Sequence, residues 1–320
     1  MATAATGGIL EREPGVALTR TGPSTWPGVV WKFCRRKPVG ALGGVVVVVV
    51  LLAALFVDGA VFGSDEPWLA LTEYDTQVFG AENEGISWSH PMGTDQSGRD
   101  IFSRVLYGAR ISAVIGFSSV VIAAVVSLAL GTISGYFTGW TDTIIQRVVD
   151  VFLAIPPLVL ALFAVTVFAS RAGPYRTMFW IIMIVGFVLA ITSIRVVRGA
   201  AISAAANQYV DAARALGASH MRIVFRHIVP NVIPVVIVLS TVQVGAAILS
   251  EATLSFLGYG IPPPFPSWGV MLNITGASQF RAYPEQAIWP GLAIALTVWG
   301  FNMFGDALRD VLDPRLRGGR

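Results

Sequence analysis

The chain has 320 residues, 54% of them hydrophobic and only 13% charged, with a mean hydropathy of +0.69. Soluble domains carry about a quarter charged residues, so the composition excludes an ordinary water-soluble fold and makes lipid the expected solvent. The formal charge is +3 and the pI about 9.2, but the basic residues flank apolar runs instead of forming one patch, which argues against a nucleic-acid partner.

Taken in chain order, residues 1–37 lack periodicity and hold Gly, Pro and Thr breakers, as a flexible cytoplasmic tail would. A first span is predicted over 38–62, its apolar core at 38–57. It is long and has no small-x-small cleavage pattern close behind it, so it reads as an uncleaved anchor. Residues 63–105 form an external loop: between 64 and 100 lie Asp65, Glu66, Glu73, Asp75, Glu82, Glu84, Asp95 and Asp100 against Arg99 alone.

The core, 106–308, supplies five more spans. Charge-free apolar stretches run over 111–141, 151–170, 177–194, 228–250 and 286–305, each 18 residues or longer, where roughly 20 cross a hydrocarbon layer about 30 Å thick. Pro156 and Pro157 predict a kink in the third span. A further charge-free run, 252–280, contains Pro262, Pro263, Pro264 and Pro266 and is expected to be irregular, outside the membrane or partly re-entrant.

Basic residues set the orientation. They cluster before the first span, in the 195–227 loop (Arg195, Arg198, Arg214, Arg222, Arg226) and in the 309–320 tail, so both termini and that loop are expected in the cytoplasm. The expected fold is therefore all-α and integral to the membrane, with six spans.

Small residues at four-residue spacing, Gly131, Gly135 and Gly139, and Gly40 with Gly44, suit close helix approach. They fit either packing within the chain or a seam with another subunit. Intramembrane polar residues are costly and so are candidates for function. Gln243 and Glu251 fit either a solute route or a pairing and helix-end role. In "GTDQSGRD", Asp95, Arg99 and Asp100 fit either a fixed turn or a contact with another protein, and so does Trp268 in the Pro-rich segment.

A short polar helix interrupts the apolar chain at "NQYVDAARALG". Asn207 is placed to cap it and Gly217 to end it, giving about ten residues. Ala212, Ala213 and Leu216 form a narrow face of small and medium side chains, while Asp211 and Arg214 stay polar. Lipid binding would need bulky anchors and a Lys/Arg-rich face; a small knob suits a groove in a protein.

The spacing Asp211-Ala212-Ala213, Gly217, Val229-Pro230 resembles the signature loop of bacterial ATP-binding-cassette (ABC) importer permeases. Together with "HPMGTDQSGRDIFSRVLYGARIS", "SEATLSFLGYGIPPPFPSWGVML" and "FNMFGDALRDVLDPRLR", it is similar to the C-type permease subunit of dipeptide, oligopeptide and nickel importers. The similarity runs from about residue 88 to 317. Asp211 stands where that pattern has Glu, and His227 where the broader pattern has an apolar residue.

The resemblance implies a type I importer permease in the inner membrane. Its coupling helix, at Asp211, Ala212, Ala213, Arg214, Leu216 and Gly217, would dock on an ATPase. Implied partners are a homologous B-type permease, two ATPase domains that bind ATP and Mg, and an external solute-binding protein that Asp95, Arg99, Asp100 and Trp268 would contact. Arg214, Arg222 and Arg226 fit either pairing with the ATPase or topology alone.

Neither Lys32 nor Lys37, the two lysines, follows a G-x-x-x-x-G, so the chain carries no phosphate-binding loop and no ATPase site of its own. No nucleophile, paired carboxylates or zinc spacing suggests an enzyme, and three histidines with one cysteine give no metal site. Peptide uptake is the expected function, with nickel chelates or glutathione-like solutes as alternatives. An ion-coupled transporter would show more buried charge and often an internal repeat.

Overall fold

The computed structural model describes residues 34–35, 37–59, 66–169 and 173–312. Most of the 1–37 tail and residues 313–320 lie outside them. The chain divides into Met1–Pro38, of which only Cys34, Arg35, Lys37 and Pro38 are described, and a helical body, Val39–Arg320.

Nine helices follow one another among the described residues. They are α1 (Pro38–Phe56), α2 (Ile101–Tyr136), α3 (Trp140–Leu153), α4 (Pro157–Ala169), α5 (Pro174–Ala205), α6 (Gln208–Ala215), α7 (His220–Phe256), α8 (Trp268–Ala282) and α9 (Glu285–Leu312). Five of them, α1, α2, α5, α7 and α9, are long and apolar enough to cross a membrane. The bent pair α3–α4 supplies a sixth crossing if counted as one.

Most helices run past the charge-free stretches, and several of the charges at their ends pair with other segments. α2 begins at Ile101, so residues 101–105, counted with the external loop, form its first turn. It absorbs Arg104, which donates to the Tyr74 carbonyl at 2.8 Å, and Arg110, which donates to the Ala54 carbonyl and to Asp58 (2.7 and 2.9 Å). α5 continues through Arg195 and Arg198, which pair with Asp150 and Asp142 of α3. The third span is not a kinked rod: α3 and α4 meet at 88° across Pro156.

The 252–280 segment is more regular than its prolines suggest. α7 continues to Phe256, an irregular stretch covers 257–267, and Ser267 then caps α8 by accepting from the Val270 amide. α8 kinks at Gly276 (φ 55°). Helix-breaking prolines act only where they stand, and a hydroxyl that satisfies an orphan amide restarts the helix directly after them.

Glycines set how closely the helices approach. A Cβ on Gly131 would stand 2.7 Å from Val197 Cβ, and one on Gly135 2.7 Å from Ala201 Cβ and the Arg198 carbonyl, so α2 and α5 meet backbone to backbone. These glycines serve packing within the chain. Gly139 lies in the turn after α2 with φ +83° and open space around it. At α1 the close approach falls on Gly40 and Gly43 against α9, with Gly44 looser against Phe304. Replacing Gly135 with Leu is expected to force α2 from α5 and cost about 3 kcal/mol, read as earlier thermal aggregation in detergent.

Candidate functional site

Two groups of expected residues lie at opposite ends of the bundle. At the Arg-rich end, α2, α5, α6 and the start of α7 share a hydrophobic cluster containing Tyr136, Val197, Ala201, Ala204, Val210, Ile223, Val224 and Ile228. α6 is seated on it by Val210, fully buried, with Ala213 packed partly against the same cluster. Asp211, Ala212, Arg214, Leu216 and Gly217 are exposed, and Asp211 pairs with Arg214 at 3.2 Å.

The expected small-residue face is thereby corrected. Ala212 and Leu216, one turn apart, point outward, while Ala213 belongs to the inner face with Val210. That Val210–Ala213 spacing of three was the available signal.

Both ends of α6 are built by backbone chemistry. The amide of Gly217 donates to Arg214 O (3.0 Å) and that of Ala218 to Ala213 O (3.1 Å). Gly217 has φ +78°, a left-handed residue that satisfies the last carbonyls of the helix. Asn207 departs from expectation: its side-chain amide donates back to Ser203 O and Ala204 O (3.0 Å each), closing α5 and leaving α6 without a side-chain cap.

Ser219 restarts the chain as α7, which passes through a π-helical turn at Val224–Ile228 before Pro230. Helices widen in this way where the chain is under functional or steric demand. Tyr136 of α2 meets His220 of α7, hydroxyl to Nδ1, at 2.9 Å.

Gln243 and Glu251 lie two turns apart on α7, and both bridge helices. Gln243 donates to Ser193 Oγ and to Leu189 O of α5. Glu251 is 0% exposed and accepts from Ser112 of α2 (3.2 Å) and Ser255 (2.7 Å), with Ser267 bonded as well. Ser255, in turn, lines a cavity of about 300 Å³ that opens among α4, α5, α7 and α8 beside Thr177, Tyr259, Ile261 and Asn273. Glu251 stands behind that wall.

The external loop is folded by its own charges. Asp95 accepts from the amides of Ser97 and Arg99 (2.8 and 3.0 Å) and from Arg99 Nε (2.8 Å). Asp100 caps α2 at the Ser103 amide (2.7 Å) and meets His90 Nδ1 at 3.0 Å. Tyr74 stacks on Phe265, and burial, with Asp75 and Glu73 beside it, pushes its phenol above the ordinary value. Trp268 donates to Val105 O at 2.9 Å and fills the space beside Gly108.

Asp95, Arg99, Asp100 and Trp268 are all buried. As placed, they shape the surrounding surface from beneath and do not stand on it, which corrects the direct contact expected of them. Asn83, which sequence reasoning missed, joins the loop to α8 and α9 by accepting from Gln279 and Gln286.

A family model described as "binding-protein-dependent transport system inner membrane component" matches residues 127–318. The glutathione transport system permease protein GsiD of Pectobacterium atrosepticum is 37% identical over 287 residues, covering 90% of each chain. Its namesakes in Escherichia coli O157:H7 and Shigella sonnei are 38% identical over 291 residues, again covering 90% of each.

Proposed function

Because the chain belongs to the family of binding-protein-dependent transport system inner membrane components, we propose that it carries peptides and peptide-like solutes across the membrane for an ATP-driven importer. It is the permease subunit of an ABC importer, a multi-pass inner membrane protein whose family role is passage and not chemistry. Its partners in this reading are a homologous second permease, two ATPase domains that hold ATP and Mg, and an external solute-binding protein.

The observation that carries the coupling role is α6. It is a short helix pinned from behind by Val210 and ended by Gly217, with Asp211, Ala212, Arg214 and Leu216 presented outward. A side chain seated in the bundle's own core turns a push on α6 into a push on α2, α5 and α7. Closure of the ATPases would move α6 as a rigid body and rock those helices between inward-open and outward-open arrangements. External proteins would meet the exposed residues of the loop that Asp95, Arg99, Asp100 and Trp268 hold in shape.

Glutathione is a tripeptide, and di- and oligopeptides share its amides and terminal charges, so the relatives' solute and the peptide reading are one chemical class. The decisive experiment reconstitutes the permease with its partners in vesicles and follows labelled glutathione and a dipeptide. ATP-dependent uptake of at least one is expected. Uptake that ignores ATP and follows an ion gradient would replace the reading with an ion-coupled transporter, and uptake of nickel alone would reassign the solute.

Both termini and α6 are assigned to the cytoplasm by the positive-inside rule. Cys34, exposed just before α1, should then react in intact cells with a membrane-permeant maleimide and stay unlabelled by an impermeant one. Labelling by the impermeant reagent reverses the topology.

A further inference from the structure

The cavity among α4, α5, α7 and α8 has a volume of about 300 Å³, at the small end of ligand pockets. Its walls are unusual in their balance of hydrogen-bonding groups. Pro262 and Pro263 line it, and each brings a backbone carbonyl but no N–H. The Pro-rich stretch that separates α7 from α8 therefore also strips donors from this wall.

Other donors are spent inside the chain. The amides of Gly258 and Tyr259 close the end of α7 on Ser255 O and Leu254 O (3.0 and 2.9 Å). That of Val270 goes to Ser267 Oγ and that of Thr177 to Gly173 O. The Ser255 hydroxyl gives its proton to Glu251 (2.7 Å), and Asn273 Nδ2 donates to Phe256 O (2.7 Å). With those protons committed, Ser255 Oγ and Asn273 Oδ1 have lone pairs to offer. Tyr259 adds a phenol oxygen or a ring face, and both attract cations. Glu251 is a positioning residue here: it fixes where the Ser255 proton points and meets no solute itself.

Helix ends do not alter this balance, since α4 and α7 finish at the cavity while α5 and α8 start there. Among the described residues, no Lys, Arg or His lines it, so a carboxylate would find no cation and few donors. A primary ammonium is the reverse case, with three donors and no acceptor.

We propose that this cavity binds the primary ammonium group of the transported solute, the α-amino end that glutathione and free peptides share. This rests on the peptide reading above. A cavity of this size takes one end of such a solute, so it selects for a free amino terminus and not for length.

The test uses the complete transporter purified in detergent, with Cys34→Ser and Ile274→Cys in this chain. Ile274 lines the cavity without a polar side chain. Methanethiosulfonates carrying ethylammonium or ethylsulfonate label the new thiol, followed by mass, and exposed Cys34 of the parent is the reference for intrinsic reactivity. The ammonium reagent's advantage is expected to be about tenfold greater at position 274 than at Cys34, the worth of about one hydrogen bond to a charged group. It should shrink in Ser255→Ala and in Asn273→Leu. The dipeptide alanylalanine should slow labelling, and its N-acetyl form should not.

The same reagent preference at both positions, or equal protection by the two dipeptides, overturns the proposal. ATP-dependent uptake of glutathione or a dipeptide by that preparation in vesicles then leaves the peptide reading standing. An ammonium preference kept by a transporter that takes up neither solute overturns the peptide reading instead. Should Ser255→Ala fail to accumulate, Asn273→Leu decides, because Asn273 is exposed: an undiminished preference there overturns the assignment of the acceptors.

Discussion

Replacing Gly217 with Trp is expected to abolish solute uptake, a loss of about 100-fold, while the amount of permease in the membrane stays within about twofold of the parent. The asymmetry follows from where Gly217 sits. Its φ of +78° costs a side-chain-bearing residue about 1–2 kcal/mol, a local strain in a one-turn element and too little to unfold the bundle. Nothing stands within 4 Å of where its Cβ would project, so the indole extends outward into the surface that would meet the ATPase. A 100-fold loss corresponds to about 2.7 kcal/mol, within the usual range of coupling energies.

Gly217→Asn is the companion variant. Asn tolerates the left-handed region, so most of the activity should return if bulk and not backbone strain is responsible. Uptake at the parental level in Gly217→Trp would remove α6 from the coupling path. Ala213→Trp should behave differently, since Ala213 packs inward with Val210; it should lower thermal stability as well as uptake.

The second large effect concerns Glu251. Glu251→Ala is expected to destabilise the protein by about 3 kcal/mol, the sum of a cavity and serine hydroxyls on three segments left short of a partner. For a chain of this size that corresponds to a fall of roughly 5–10 °C in the midpoint of thermal aggregation in detergent. Glu251→Gln keeps the shape, accepts from one serine and donates to another, and should stay within about 2 °C of the parent with uptake intact. A Gln variant that is stable yet cannot transport would put Glu251 on the solute route after all.

How far the sequence could be read depended on what each charge was doing. Counting residues without charge located the middle of nearly every span but missed the ends, because Arg104, Arg110, Arg195 and Arg198 lie inside helices with partners on other segments. Those partners are far along the chain, such as Asp58 for Arg110, and no local pattern announces them. α8 was hidden for the opposite reason. Four prolines dominated the reading, and the one signal for a helix start, Ser267 before Trp268, was a single residue.

The site was legible in unequal parts. Gly217 as a turn, and the shortness of α6, followed from local backbone rules and hold in the structure. The opposite directions of Ala212 and Ala213 did not, since alanine carries no polarity to orient it and only the buried Val210 settles the face. Likewise Asp95, Arg99 and Asp100 announce a charged turn, but their satisfaction and burial depend on Asp75, His90 and the first turn of α2.

The clasp at Asn83 bears on how the protein is made. Gln279 and Gln286 lie 196 and 203 residues further along the chain. At about 5–20 residues per second, ribosomes need roughly 10–40 s to produce them after Asn83 has emerged. Throughout that interval the loop is held by α2 but lacks its ties to α8 and α9, and chains halted before α9 should be the ones a membrane protease trims there first.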